Sequence, residues 1–323
     1  MKVAVTGGSG VVGRAVVRHL VEDGHNVRAL ARSDEANAVV ESLGAEPIRG
    51  DILSAPTLFD LVDGARWVFH VAGVNEMCAT SPALMDRVNI EGTGSVIDAC
   101  RVAGVERLIH TSSAVTIGEE PGALGSESTV HRGTFISRYE RSKYLAERRL
   151  FEEAGSLDVI SVNPSSVQGP GRATGTGKLI LDVINGRMQL LVDTSFSIVD
   201  IDDCARGHLL AAKNGVPGER YILSGSTVDM REAVGLLQAV SGRVLSVRYA
   251  PGWLVRAGAG IIEFGARLTG RTPPVCREMV AVMLAGARYD GTRASRDLGL
   301  SYSPLEDTIR RMFAWFETEN LLT

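Results

Sequence analysis

The chain has 323 residues, enough for one large α/β domain or for a nucleotide domain with a smaller lobe. Its 45% hydrophobic and 22% charged residues exclude a disordered or fibrous protein. A formal net charge of −4 gives no basic surface for nucleic acid or anionic lipid, so neither nucleic acid nor a membrane is expected as partner. Cys78, Cys100, Cys204 and Cys276 are widely spaced and form no CxxC or Cys/His cluster. That spacing argues against zinc or a disulfide framework and for a reducing compartment. With a strand expected to begin at Lys2, no signal peptide is expected. The nearest approach to a membrane span, Trp253 to Leu268, is broken by Arg256, Glu263 and Arg267. A cytoplasmic protein is expected, with the 253–268 segment forming an amphipathic helix over a pocket.

Along the chain, β-branched runs alternate with helical spacing. Strands are expected at Lys2–Thr6, Asn26–Ala31, Glu46–Arg49, Trp67–Val71, Arg107–Thr111 and Asp158–Asn163. Helices are expected at Val12–Glu22, from Asp34 as N-cap through Leu43, at Pro56–Val62, at Pro82–Ala103 and at Arg138–Ala154. This alternation means right-handed βαβ crossovers and a doubly wound parallel sheet of the α/β class. After Pro164 the rhythm changes, which divides the chain into a dinucleotide-binding domain at 1–165 and a substrate-binding lobe at 166–323. Ser197–Ile201 and Glu219–Leu223 are expected to return to the main sheet.

Gly7-Gly8-Ser9-Gly10-Val11-Val12-Gly13 follows the first strand and opens a helix, the setting in which such a loop binds a dinucleotide pyrophosphate. Gly7 permits the turn, Gly10 lets the backbone approach the pyrophosphate, Gly13 packs helix on sheet, and the amides at Ser9, Val11 and Val12 face the anion. The second strand ends Ala31-Arg32, with no carboxylate for the ribose hydroxyls and an arginine for a 2′-phosphate. NADP(H) is favoured, with NAD(H) the other possibility. Asp51 and Ile52 suit the adenine, and Val71, Ala72 and Gly73 are small enough for a ribose to pass close.

Tyr139 and Lys143 are four residues apart on a predicted helix and so share a face. A cation beside a phenol lowers its pKa, and the lysine can also hold the nicotinamide ribose. The chain has only four lysines, so this one is a specific choice. Ser113, in a Thr-Ser-Ser-Ala loop at the carboxyl end of the fifth strand, can hydrogen-bond a substrate carbonyl. His19, His25, His110, His131 and His208 are scattered and make no metal set.

These residues resemble the extended short-chain dehydrogenase/reductase family. The resemblance runs through TGGSGVVG (6–13), GDIL (50–53), FHVAG (69–73), NIEGTGSVIDAC (89–100), TSSAVTIG (111–118), YERSK (139–143) and VNPSSVQGPG (162–171). It continues into VDIDDCARGHLLA (199–211), GERYILSG (218–225) and ASRDLGL (294–300). It implies a catalytic Ser113–Tyr139–Lys143 triad, a nicotinamide end lined by Pro164, Ser166 and Val167, and a substrate contact from Asn163. It also implies a homodimer through the helices at 82–103 and 138–154. Sugar-nucleotide epimerases of the family often carry an arginine and a histidine in the segment that here reads Phe196 to Asp203, and neither is present. The segment is closer to the dihydroflavonol reductase-like and 3β-hydroxysteroid dehydrogenase-like branch. The expectation is an NADP(H)-dependent ketone reductase with a small-molecule substrate enclosed by Trp253 and its helix. A sugar-nucleotide epimerase or dehydratase using NAD, and a catalytically silent dinucleotide-sensing scaffold, are the alternatives.

Overall fold

A computed structural model describes residues 1–78, 83–269, 271–273 and 275–323. Seven parallel strands form the central sheet, in the spatial order 220–223, 158–164, 107–111, 67–70, 2–6, 26–31 and 46–49. The order reverses between Lys2–Thr6 and Trp67–His70, and in an open parallel sheet the crevice at such a reversal is where ligands bind. Val3, Ala4 and Val5 are inaccessible on both sides of the sheet, which explains why the strand reads as an unbroken apolar run. The first helix, Val11–Glu22, buries Val16, Val17 and Leu20 completely against that sheet. Each such side chain stabilises the fold by about 1.5–3 kcal/mol, and Leu20→Ala would cost about 2–5 kcal/mol. Gly24, at φ +78°, ends this turn where a side chain would be strained.

The second helix is capped by Ser33 rather than Asp34: the Ser33 hydroxyl accepts from the Ala36 amide at 3.2 Å and the helix runs Asp34–Ser42. The expected helix at 82–103 is divided into Ala83–Asp86, a wide turn at Arg87–Glu91 and Gly92–Val102; Pro82 lies outside the described residues.

Only one of the two returning segments joins the main sheet. Arg220–Leu223 pairs with Asp158–Pro164 at its edge. Ser195–Asp200 instead centres a three-stranded sheet between Ser166–Gln168 and Ser226–Asp229. Helix Ile201–Asn214 packs beside Val11–Glu22, so the chain crosses back to the first half before leaving again. A second core, built on Leu181, Leu191, Leu237, Met312 and Phe316, holds the C-terminal lobe together.

Two further expectations are corrected. Cys78, after the fourth strand, is disulfide-bonded to Cys276, which directly precedes helix Arg277–Ala285. Distance along the chain, 198 residues, concealed that their Cα atoms lie 5.6 Å apart. The bond removes the inference from cysteine usage to a reducing compartment. The second correction concerns helix Gly252–Thr269, which turns Trp253 outward at 70% exposure instead of closing it over a pocket. No described helix is long and apolar enough to cross a membrane.

Candidate active site

The glycine loop is shaped by close backbone approaches. Gly7 has φ +73°, and a Cβ there would lie 2.6 Å from the Ala72 amide nitrogen; at Gly13 it would lie 2.0 Å from the Gly7 carbonyl. A Cβ on Gly10 would meet nothing closer than the Gly7 carbonyl at 3.3 Å, so this side of the loop is open. Gly10 caps the helix without a side-chain hydrogen bond, and the first turn holds no acidic residue. Amides at 11–13 therefore present unshielded donors at a helix N-terminus, which fits a dinucleotide pyrophosphate. Arg32 is exposed and has no ionic or hydrogen-bond partner among the described residues. Asp51 spends one carboxylate oxygen on the Leu53 amide at 2.9 Å, and Ile52 is buried in the core against Gly92.

Val71, Ala72 and Gly73 leave the fourth strand next to this loop. Their continuation is clamped by a residue that sequence reasoning missed. Asn89 accepts from the Val74 amide at 2.7 Å, donates to its carbonyl at 2.9 Å, and also donates to the Ser142 hydroxyl at 2.9 Å. Its signal lay inside the NIEGTG motif, as a polar side chain in a helix that otherwise packs inward. A Cβ on Gly73 would lie 3.7 Å from Lys143 Nζ, which places the ammonium beside this stretch of backbone.

Helix Arg138–Glu153 starts with a capping box. The Ser137 hydroxyl accepts from the Glu140 amide at 3.0 Å, and the Glu140 carboxylate accepts from the Ile136 amide at 2.8 Å while pairing with Arg132. Tyr139 is thereby fixed in the first turn and Lys143 one turn on. The lysine is 4% exposed and donates to the Thr111 carbonyl at 2.6 Å. Burial pulls its pKa down to about 8, and the Glu147 carboxylate, a further turn along the same face, opposes that fall.

Ser113 lies two residues past the fifth strand, Arg107–Thr111, and precedes the short helical turn Ala114–Ile117 without capping it by its side chain. Its hydroxyl is left for the neighbouring Tyr139 phenol, and the Thr111 carbonyl that holds Lys143 lies two residues before it. The electrostatics of the phenol differ from expectation. Burial raises the Tyr139 pKa above its ordinary value; the Ser113 hydroxyl and the Arg172 guanidinium each pull it back. A cation acting on the phenol is Arg172, from the glycine-rich 169–178 stretch.

Asn163 does not face the site. It is fully buried, and its Nδ2 donates to Thr116 Oγ1 at 2.9 Å, to Glu147 Oε2 at 2.5 Å and to the Ser113 carbonyl at 3.3 Å. Asn163 positions the backbone that carries Ser113. Pro164 and Val167 are buried where the strand ends and Ser166 is half-buried, its hydroxyl within 3.3 Å of Thr176. Among the described residues no His, Cys, Asp or Glu group could hold a metal.

The model of the NAD dependent epimerase/dehydratase family matches residues 3–224. The chain is 30% identical over its whole length to sterol demethylase protein B of Methylococcus capsulatus, and covers 100% of that protein. It is 32% identical to 2-alkyl-3-oxoalkanoate reductase of Stenotrophomonas maltophilia, with 97% of this chain and 99% of that protein covered. The crystal structure of gox2253 superimposes with a TM-score of 0.87 at 33% identity, over 100% of this chain and 99% of that one. With an open glycine loop and a sheet reversing beside it, the chain belongs to the NAD-dependent epimerase/dehydratase family, as an oxidoreductase of CH–OH and C=O groups in the extended short-chain dehydrogenase/reductase branch.

Proposed function

We propose that the protein reduces an apolar ketone to a secondary alcohol with NADPH. The observation that carries this reading is the Ser113 hydroxyl beside a half-buried Tyr139, with Lys143 one turn along the same helix. A dinucleotide held by the glycine loop would supply the hydride that the carbonyl carbon needs. Ser113 donates a hydrogen bond to the carbonyl oxygen, and Tyr139 gives that oxygen its phenolic proton. A phenol whose pKa is raised by burial rests in its protonated form, which suits an acid working in the reductive direction. Lys143, tied to the Thr111 carbonyl beside Gly73, binds the ribose. The unpartnered Arg32 and the absence of a carboxylate at Ala31 support NADP(H) over NAD(H). Pairing of the helical segments within 82–103 and 138–154 across a two-fold axis would make a homodimer, a reading supported by the exposed Leu84 and Val102.

Two substitutions test the reading with one assay of ketone-dependent NADPH oxidation. Tyr139→Phe should lower kcat by about 10²–10⁴-fold while NADPH still binds. Arg32→Ala should raise the KM for NADPH by about tenfold or more and leave that for NADH unchanged. A Tyr139→Phe enzyme that keeps most of its rate would remove the phenol from this role.

A further inference from the structure

His70 ends the fourth strand and has no part in the reaction just described. Thr6 directly precedes the glycine loop, and its Oγ1 lies 2.8 Å from His70 Nδ1. The Ala72 amide donates to the same Thr6 hydroxyl at 3.2 Å. On the other side of the ring, His70 Nε2 lies 2.9 Å from Thr93 Oγ1, and Thr93 donates to the Asn89 carbonyl at 2.6 Å. Thr6, His70 and Thr93 are wholly inaccessible and Asn89 nearly so, so these groups satisfy one another rather than bulk solvent.

The hydrogens of this chain have only one arrangement. A hydroxyl carries a single hydrogen, and Thr93 spends its own on a carbonyl, which can only accept. Thr93 Oγ1 must therefore accept from His70 Nε2, which fixes the ring as the tautomer protonated there. Nδ1 is then an acceptor, and the Thr6 hydroxyl donates to it while accepting from Ala72. Every bond runs in one sense, from the Ala72 amide to the Asn89 carbonyl. Burial, with Lys143 adding to it, holds the ring pKa down to about 3, so no second proton reverses the order at neutral pH. His110 provides the contrast. Its ring centroid is 5.0 Å from that of His70 and it is equally buried, yet neither of its nitrogens has a partner among the described residues.

Both ends of the chain carry working parts. Ala72 packs on the glycine loop without slack, since a Cβ on Gly7 would lie 2.6 Å from the Ala72 nitrogen. Asn89 hands the constraint to helix Arg138–Glu153 through Ser142, whose hydroxyl accepts from Asn89 Nδ2 and donates to the Tyr139 carbonyl, both at 2.9 Å. We infer that His70 is a positioning residue, whose single tautomer sets the glycine loop and the helix bearing Tyr139 in register with each other. A bond lost on the Thr6 side loosens the dinucleotide end, and one lost on the Thr93 side loosens the phenol. The second of these effects rests on the ketone-reductase reading, and the first on the glycine loop as the dinucleotide site.

The test measures the Kd of NADPH by direct titration and kcat in NADPH oxidation with acetophenone as the ketone. Thr6→Val and Thr93→Val keep the shape and remove one hydroxyl each. Thr6→Val should raise Kd by about tenfold with kcat within about threefold of wild type, and Thr93→Val should lower kcat about tenfold with Kd within about threefold. His70→Leu should show both losses, and His70→Asn, whose Oδ1 can stand in for Nδ1, should regain the affinity but not the rate. His110→Leu, in the same core, should leave both constants within about threefold of wild type. Parallel losses of affinity and rate in both threonine variants, or unmoved constants with only a lower Tm, would overturn the inference. Nitrogen NMR of the wild-type histidines needs no variant to fold: His70 should show a bare Nδ1 and a protonated Nε2, and the opposite pattern would also overturn it. A wild type that binds NADPH but reduces no ketone would end the reductase reading alone, and the titration and the ring spectrum would still decide this one.

Discussion

Helices Arg138–Glu153 and Gly252–Thr269 violate the ordinary rule of amphipathic helices in opposite directions. The first hides polar chemistry: Glu140, Ser142, Lys143 and Glu147 are all buried. The second displays its apolar side. Trp253, Ile261, Phe264 and Leu268 are exposed by 66–74%, while Gly252 and Gly260 turn toward Leu284 and Arg277 and Ala259 is buried. Buried polar groups need partners, and the first helix supplies them from four strands and loops. Glu147 alone accepts from Ser161 and Asn163 and pairs with Arg220 at 3.3 Å. An exposed apolar face needs no partner to be tolerated, since more than half of any protein surface is apolar. Rigidity and function gather where polar atoms are satisfied inside, so the same kind of substitution should have very different effects on the two sides.

Acid should give the largest effect. Burial keeps His70 down to about 3, His208 down to about 4 and His110 well below its ordinary value, so all three are neutral in the fold at pH 5. In the unfolded chain they take up protons near pH 6.5, so the unfolded state binds more protons and stability rises with pH across that interval. Below about pH 6 stability should fall by up to about 4 kcal/mol per pH unit, as read from urea midpoints at pH 7, 5.5 and 4.5. Both ring nitrogens of His110 lack a partner, so His110→Leu should be tolerated at pH 7 and flatten the acid slope by about a third. An unchanged slope would contradict the buried state of that ring.

Next comes Glu147→Leu. It strands Arg220 and the donors of Ser161 and Asn163, and should cost about 3–5 kcal/mol of stability in the same measurement. The catalytic effect should be more selective in Glu147→Gln, which keeps the shape but removes the charge opposing the fall of the Lys143 pKa. The high-pH limb of kcat/KM, set by loss of the ammonium proton near pH 8, should then move to lower pH. The smallest effect belongs to the outer face of the other helix. Phe264→Gln and Ile261→Gln should each change stability by no more than about 0.5 kcal/mol. A loss above 2 kcal/mol from either would show that this face is covered in solution and would end the contrast.

The same contrast explains what could be read in the chain. Buried parallel strands announce themselves as unbroken apolar runs, and a glycine loop between strand and helix carries its own mechanism, so the sheet and residues 7–13 were legible. Tyr139 and Lys143 were legible because i and i+4 share a face whatever the face meets. Helical period tells which residues lie together but not which side turns inward, and Trp253 was placed on the wrong side for that reason. Asn163 shares its strand with the site, but alternation alone did not say that its amide would be spent beneath Ser113. Arg172 sits in a loop with no period at all, and nothing in the chain told that its Nε would be buried without a partner.

The Cys78–Cys276 bond gives the chain a topology that its termini do not reveal. The residues from 78 to 276 form a closed covalent loop, with the glycine loop on one tail and the C-terminal helix on the other. Tyr139, Lys143 and Arg172 all lie on the loop. A single proteolytic cut anywhere within it leaves one molecule of unchanged mass, apart from the added water, which separates into two pieces only after a thiol is added. Every cut on the tails releases a fragment at once. Electrophoresis with and without reductant therefore maps which part of the protein a protease reaches first, and does so without labelling either end.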